Sequence, residues 1–443
     1  MNKQSDLDRF LAPWKQVVDS APQILIGVSG GMDSILLLTL MCEQLGPQRI
    51  KAIHINHGIS ENADQWQALV AKYCDQIGVS LSVEKVEVIV SGEGVEAAAR
   101  EARYTVFERL LDKDGLLFLA HHADDQVETV LYRLLRGSGS KGLAGMPASR
   151  QLSKGTLIRP FLDFCKKDLE CLAQERGLKW LEDESNADNN FDRNYLRNEV
   201  IPLLASRWPE YSQSVTRSAM LSGQADRLSR DLAIQDLRNL DSREERAGWS
   251  ISITAIKSLE KLRQKNILRH WPEIHGLPAL GPKIIDEILL SVLQARGDAN
   301  PQVLWQSQCW RRFQDRLYLL RLGGGEMQCE NLDWNLQSSL QLSDGSQLRL
   351  EACEGRGIIA EIDALQVCYR QGGERCKPIG RNHSNSLKKL LQEFQIPPWL
   401  RDRVPLLYVD GQLIAVGDLW ICDGWGAGAG EKGLEITWQV DSL

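Results

Sequence analysis

The sequence predicts an α/β domain built on a parallel sheet, followed by a mainly helical middle region and a small α+β module at the end. Three observations predict this. Short apolar runs alternate with stretches of helical periodicity through the first part of the chain. One of those runs enters a pair of glycines and passes directly into a helix pattern. Beyond residue 305 helical periodicity gives way to short runs between glycine-rich turns.

Taken in order, residues 24–29 form a strand leading into the glycines, and 33–45 a helix. Strand 50–56, helix 62–77, strand 81–88 and helix 95–111 follow. Strand 116–120 precedes helix 124–135, and 157–161 reads as a further strand. Asp163 is the expected cap of a helix over 166–176 that Gly177 ends. Alternation of this kind implies a parallel sheet covered by helices, with ligands at the carboxyl ends of its strands. A polar stretch, 182–198, leads into a largely helical region over 209–295, with linkers near Asp241 and 278–282. Runs at 317–322, 348–351 and 406–409 mark the final module. The domain spans read as 1–210, 211–325 and 345–443, with no internal repeat.

Composition bounds the function. The chain has 443 residues, 43% hydrophobic and 25% charged, as in ordinary globular proteins. It carries no apolar run long enough for a membrane span and no signal-peptide core, so a cytoplasmic protein without membrane contact is expected. Its ten cysteines are scattered without a CxxC pair, and the spacings of Cys165 and Cys171 and of Cys368 and Cys376 match no zinc pattern. A net charge of -7 argues against indiscriminate nucleic-acid binding, though not against a local basic surface.

The clearest chemistry lies in ILIGVSGGMDSILLL. Ser29, Gly30, Gly31, Met32, Asp33 and Ser34 sit between a buried strand and a helix. Paired glycines allow close approach of the backbone to a phosphate, and the helix start attracts its charge. Ser29 and Ser34 can add hydroxyl donors. Asp33 would repel phosphate unless it binds magnesium or an amine, which points to a metal-bridged pyrophosphate. The loop lacks the lysine of GxxxxGK[ST], and its glycines do not form GxGxxG, so kinase-like and dinucleotide readings weaken.

Further polar clusters fall at the same sheet edge. AIHINHG ends a strand with His54, Asn56, His57 and Gly58, residues that serve either fold or site. In AHHADDQVET, Asp124 and Glu128 are i,i+4 neighbours and Asp125 and Glu128 i,i+3 neighbours, beside His121 and His122. Such carboxylates can hold magnesium or a substrate amine, or act as a base; an acidic helix start also suits the dipole without any function. RGSGSKGLAGM is a second glycine-rich loop, with Arg136 and Lys141, that is either a mobile connector or a closing segment. The stretch from Trp180 gathers Asn186, Asp188, Arg193, Asn194 and Arg197, where an Arg-Asn pair and an Arg one turn away can grip phosphate.

The SGGMDS loop resembles the SGGxDS signature of the PP-loop ATP pyrophosphatases, which cleave ATP between the α and β phosphates and adenylate an oxygen to make it a leaving group. EAAAREARY, HHADDQVET, RGSGSKGLAGM, Ile158-Arg159-Pro160, EDESNAD and RNYLRNEVIP, in this order, are similar to the tRNA(Ile)-lysidine synthetase family. The likeness is dense over roughly the first 210 residues. It resumes at IGRNHSNSLKKLLQEFQIPPWLRDRVPLLYVDGQLIAVGDLWI; the middle is similar only in helical character. The resemblance implies a Rossmann-like PP-loop ATPase domain and ligation of free lysine to carbon 2 of the wobble cytidine of a tRNA(Ile) with CAU anticodon. It further implies an adenylated cytidine intermediate, release of AMP and pyrophosphate, and a switch of reading from AUG to AUA and of tRNA identity from Met to Ile. ATP and magnesium would be bound by Ser29–Ser34 with His57, the metal at Asp33. Asp33, Asp125 and Glu128 would carry catalysis, with Asp124 beside them; which carboxylate binds lysine and which acts as base stays open.

Residues 366–410 hold eight Lys/Arg against four Asp/Glu. Arg381, Lys388, Lys389, Arg401 and Arg403 are candidate tRNA backbone contacts, and Asp124, Arg136, Arg193, Asn194 and Arg197 are candidate contacts to lysine or tRNA. Lys388 and Lys389 begin an amphipathic helix, and Trp399 serves as core or platform. Oligomeric state is not set by the sequence; a homodimer is compatible with it. Three rivals remain. A tRNA thiolase should need a sulfur-carrying cysteine or an iron–sulfur pattern, and neither is evident. GMP or NAD synthetase activity leaves the basic C-terminal module unexplained. A non-enzymatic tRNA-binding protein conflicts with intact Ser29, Asp33, Ser34, Asp125 and Glu128.

Overall fold

The computed structural model describes residues 10–58, 62–88, 95–181, 189, 191–296, 299–322, 331–336 and 338–440. The chain divides into two compact units, Met1–Arg227 and Leu228–Leu443.

The first unit alternates strand and helix as the periodicity predicts. Its six-stranded sheet is formed by β1 (Ile24–Gly27), β2 (Lys51–Asn56), β3 (Ser80–Lys85), β4 (Leu116–Phe118), β5 (Ser149–Leu152) and β6 (Gly155–Ile158), in the order β3-β2-β1-β4-β6-β5. All neighbours are parallel except the edge strand β5, which runs antiparallel to β6. Sequence reading missed β5, whose SRQL buries only Leu152 and therefore shows no apolar run. Along β1, Ile24 and Ile26 pack into the core on one face and Leu25 into that on the other, so both faces are covered. Helix α1 (Met32–Leu45) lies in the larger core, with Ile35, Leu36, Leu37 and Leu38 fully buried.

Strand order reverses between β1 and β4, which are adjacent although far apart in sequence. Loops leaving the carboxyl ends of such a pair diverge to opposite faces and open a crevice. Here those loops are the SGGMDS turn and the HHADD segment.

The helix over Lys166–Glu175 corrects the expected cap. Its N-cap is Cys165, without a side-chain bond, and the acceptor for the Lys166 amide is Asp124 from another element, at 2.7 Å. Asp163 stands two residues too early to reach the first free amides. Gly177 ends this helix as predicted: at φ +61° it lets its own amide reach the Gln174 carbonyl, while the Leu178 amide reaches that of Ala173.

In the second unit, helices Lys261–Ile274 and Pro282–Glu287 pack on a five-stranded sheet ordered Arg243–Glu245, Gly248–Ser252, Arg316–Arg321, Gln308–Phe313, Gln302–Trp305. The sequence predicts these helices and the run at 317–322, which is strand Arg316–Arg321, but not the other strands of the sheet. Its strands are short, and several carry Arg, Glu or Gln where an alternating apolar signal would be needed. Later in the chain come a five-stranded and a four-stranded sheet, and Leu387, Leu390 and Leu391 of helix Leu387–Glu393 join the core they share. No helix among the described residues is long and apolar enough to cross a membrane.

Candidate active site

The phosphate loop is organised by its own hydroxyls. Gly30 has φ +98°, a conformation that suits glycine and strains any residue with a β-carbon. The Ser34 hydroxyl donates to the Gly31 carbonyl at 2.9 Å and accepts from the Ser29 and Gly30 amides. Ser34 thus turns inward and shapes the loop, whereas Ser29 is exposed and accepts from the Gly31 amide. First-turn amides of a helix have no intrahelical acceptor, so those of α1 point an anion site at the crevice. Replacing Gly30 with alanine should cost about 1–2 kcal/mol at a positive φ. The expected readout is a roughly tenfold rise in KM for ATP, with the melting midpoint lowered by about 2–8 °C.

This loop lines a cavity of about 640 Å³, together with Asp33, His54, Asn56, His57, Trp66, Ala99, Arg103, Phe107 and His121. His54 is buried and its Nδ1 donates to the Val28 carbonyl at 2.9 Å, holding β2 against the loop. Burial lowers its basicity. Asn56 bonds Asp64 and Gln67 and accepts from the Gly58 amide, so it fixes the turn after β2. His57 faces the cavity. Burial, with Arg103 and His54 nearby, lowers its pKa to about 4, and its Nδ1 is buried without a partner. A neutral imidazole of this kind offers hydrogen bonding without adding charge.

From the other side comes α2 (Ala123–Leu135). His122 caps it: Nδ1 accepts from the Asp125 amide at 3.4 Å, and the Asp125 carboxylate accepts from the His122 amide at 3.0 Å. Because Nδ1 accepts, Nε2 carries the ring proton. It lies 3.7 Å from Asp33 and 3.6 Å from Asp125. Two carboxylates from the first turns of α1 and α2 therefore converge on one buried imidazole. Sequence reading placed His122 beside the acidic cluster without assigning it this role.

Burial holds the Asp33 carboxyl above its ordinary range, with His122 opposing and Asp125 reinforcing the shift. Burial also pushes Asp125 upward, but His122, His121, the His122 amide and Arg197 outweigh it and the net shift is downward. His121 is driven down to about 4, chiefly by burial. Asp33 Oδ1 is buried with no partner. No group of three His, Cys, Asp or Glu among the described residues forms a metal cage. The unpartnered Asp33 oxygen fits magnesium, which takes one or two carboxylates and completes its shell with phosphate oxygens and water.

Arg197 and Glu128 prove to be partners. Arg197 Nε and Nη2 donate to the two oxygens of Glu128 at 2.6 and 2.8 Å, and Nη2 lies 3.6 Å from Asp125. A π-helical turn, Leu196–Val200, carries Arg197 into this position. Asp124 binds the Lys166 amide and stands 3.6 Å from His122. Arg136 bonds Tyr132 at 2.8 Å and lies over its ring, with Arg193 approaching the same ring. Asn194 is in the same helix as Arg193, and Asn186 and Asp188 lie outside the described residues.

The RGSGSKGLAGM loop is pinned rather than a free connector. Arg133 donates to the Gly142 and Gly145 carbonyls, and the Gln126 amide pairs with both backbone groups of Met146.

In the second unit the basic window is largely compensated. Arg403 holds the buried carboxylate of Asp344 at 2.9 Å, Arg381 pairs with Glu393 at 2.6 Å, and Lys389 lies 3.9 Å from Glu393. Arg401 donates to the Ile396 carbonyl, and Lys388 is exposed. Trp399 belongs to the packing: its indole donates to the Ala247 carbonyl and its ring meets Phe313 and Tyr318 edge-on.

A parallel sheet, a glycine turn at its switch point and an anion-binding helix start define an ATP-binding domain of the PP-loop class, and residues 1–204 match the PP-loop domain family. Residues 251–318 match the TilS substrate binding domain and 365–438 the TilS substrate C-terminal domain. The tRNA(Ile)-lysidine synthase of Coxiella burnetii is 39% identical over 94% of this chain and 92% of its own length. Enzymes of the same name from Methylococcus capsulatus and Serratia proteamaculans are 37% and 38% identical, each covering 95% of its own length. The chain belongs to the tRNA(Ile)-lysidine synthase family.

Proposed function

We propose that this protein ligates free lysine to carbon 2 of the wobble cytidine in a tRNA(Ile) with a CAU anticodon, consuming ATP. The observation that carries this reading is the acidic group around His122 at the edge of the phosphate loop. A polyphosphate and a cationic amine need adjacent sites of opposite character, and here one crevice offers both.

In the first step cytidine O2 attacks the α-phosphorus, the bond to the β-phosphate breaks, and pyrophosphate leaves. The Ser29–Ser34 loop, with Gly30, Gly31 and the start of α1, holds that pyrophosphate, while His57 contacts the nucleotide. Magnesium at Asp33 would supply neutralisation of the charge developing on the leaving group. In the second step the lysine nitrogen attacks carbon 2, the C2–O2 bond breaks, and AMP departs with that oxygen. Asp125, held ionised, accepts a proton from the amine, and Asp124 helps orient it. Glu128 acts through its pair with Arg197, which fixes Asp125 from behind. The product base pairs with A, so the tRNA reads AUA instead of AUG and gains isoleucine identity.

The division of labour follows the spans 1–210 for chemistry and 211–325 and 345–443 for tRNA binding. Arg136, Arg193 and Asn194 contact tRNA beside the site, and Arg381, Lys388, Lys389 and Arg401 contact its backbone elsewhere, with Arg403 supporting them through Asp344. The test is incorporation of labelled lysine into tRNA(Ile) with a CAU anticodon. Incorporation that requires ATP and is matched by AMP release is the expected result; sulfur incorporation without lysine, or binding without AMP release, would overturn it.

A further inference from the structure

Beside the nucleotide cavity, three arginines close on a single phenol. Arg100 and Tyr104 lie on the helix Val95–Leu110, Arg150 on the edge strand β5, and Arg159 follows β6. The guanidinium carbons of Arg100 and Arg150 each stand 4.9 Å from the centre of the Tyr104 ring. Arg100 and Arg159 donate to the Tyr104 oxygen at 3.4 and 3.3 Å. Arg159 is 2% exposed; it also donates to the Pro147 carbonyl, and its Nε is buried with no partner. Among the described residues no carboxylate pairs with Arg100, Arg150 or Arg159, and none accepts the phenol proton of Tyr104.

The cluster is thus made of donors. Like charges gathered at a partly buried phenol repel one another unless an anion joins them. Their field is felt nearby: Arg100 and Arg159 oppose protonation of His121, and Arg100 opposes that of Arg133. Tyr104 itself is made more acidic, because the three arginines outweigh its burial.

Position narrows the ligand. Ala99, Arg103 and Phe107 line the nucleotide cavity at helical spacing, and Arg100 and Tyr104 occupy the adjacent stripe of the same helix. An anion here sits next to the cavity, not inside it. ATP phosphates belong to the Ser29–Ser34 loop. A polynucleotide delivering one base into the cavity must carry its backbone across this rim.

We propose that Arg100, Arg150 and the Tyr104 hydroxyl, braced from below by Arg159, bind a backbone phosphodiester of the tRNA next to the base being modified. This inference rests on the functional reading above. Arg150 is exposed on an edge strand, so its loss removes a contact without opening the core.

The test titrates full-length protein with tRNA(Ile) transcript from about 50 to about 300 mM salt. Arg150→Ala should weaken binding about tenfold near physiological salt and make the slope of log Kd against log salt shallower by about one phosphate. Tyr104→Phe keeps the ring and loses the hydroxyl; it should weaken binding about threefold and lower the melting midpoint by a few degrees, because buried Arg159 loses an acceptor. KM for ATP should stay within about twofold of wild type in both variants. An unchanged salt slope in Arg150→Ala, or a raised KM for ATP with unchanged tRNA affinity, would overturn the site. If the wild-type protein neither binds this tRNA nor incorporates lysine, it is the functional reading that fails; if wild type does both and the variants match it, only the phosphodiester site fails.

Discussion

Asp33→Ala should lower ATP-dependent AMP release by about a thousandfold, equivalent to ~4 kcal/mol of transition-state stabilisation. Asp33 is the one carboxylate inside the phosphate loop, with Oδ1 buried and unpartnered and Oδ2 facing His122. Without it the loop keeps its amides for the phosphates but loses the group suited to magnesium. Stability should move the other way. Burial raises the Asp33 pKa, so at neutral pH the ionised carboxylate is disfavoured in the folded state, and removing it should leave the melting midpoint unchanged or higher. Binding of tRNA should be retained. The decisive measurements are AMP release with lysine and tRNA present, tRNA affinity, and thermal unfolding of the same preparation. A variant that no longer folds would assign Asp33 to structure; one that still releases AMP at near wild-type rate would remove it from the reaction.

The phosphate loop is legible in the sequence. The glycines, Asp33 and Ser34 act within one turn, so their neighbours in sequence are their neighbours in space. The strand–helix alternation that places them is likewise local, because each apolar run is buried by a sheet with two covered faces. What the sequence does not display is pairing across long separations. Asp124 looks like part of a catalytic cluster, and only the fold reveals that it also accepts from the first amide of the helix that starts at Lys166. The eight cations of residues 366–410 look like an RNA surface, yet their carboxylates come partly from outside the window, at Asp344 and Asp423. The Arg100–Tyr104–Arg150–Arg159 cluster draws on three elements, one of them an edge strand with no sequence signature. Chemistry held in a loop is readable; chemistry assembled across a sheet requires the fold.

The pair between Arg197 and Glu128 is the strongest case of that assembly, and its removal should have the largest effect on stability. The Glu128 side chain is 7% exposed and its two oxygens are both bound by the guanidinium. Burial raises the Glu128 pKa, and the bonds to Arg197 work against that rise. Arg197→Ala leaves this carboxylate buried without its partner, a loss of about 3–5 kcal/mol. In a domain of this size that should lower the melting midpoint of the first unit by about 10 °C. Glu128→Gln combined with Arg197→Ala removes the stranded charge, so the double variant should melt above the single arginine variant. Such coupling is what distinguishes a true pair from two independent residues. Lysine incorporation should be absent in both, because Asp125 also loses the guanidinium 3.6 Å away. Thermal unfolding across the four proteins of the cycle, with lysine incorporation measured in each, checks both statements. Additive changes in the midpoint would show that the two side chains do not depend on each other. Lysine incorporation that survives in the double variant would restrict the pair to a structural role, leaving Asp33 and Asp125 to carry the chemistry.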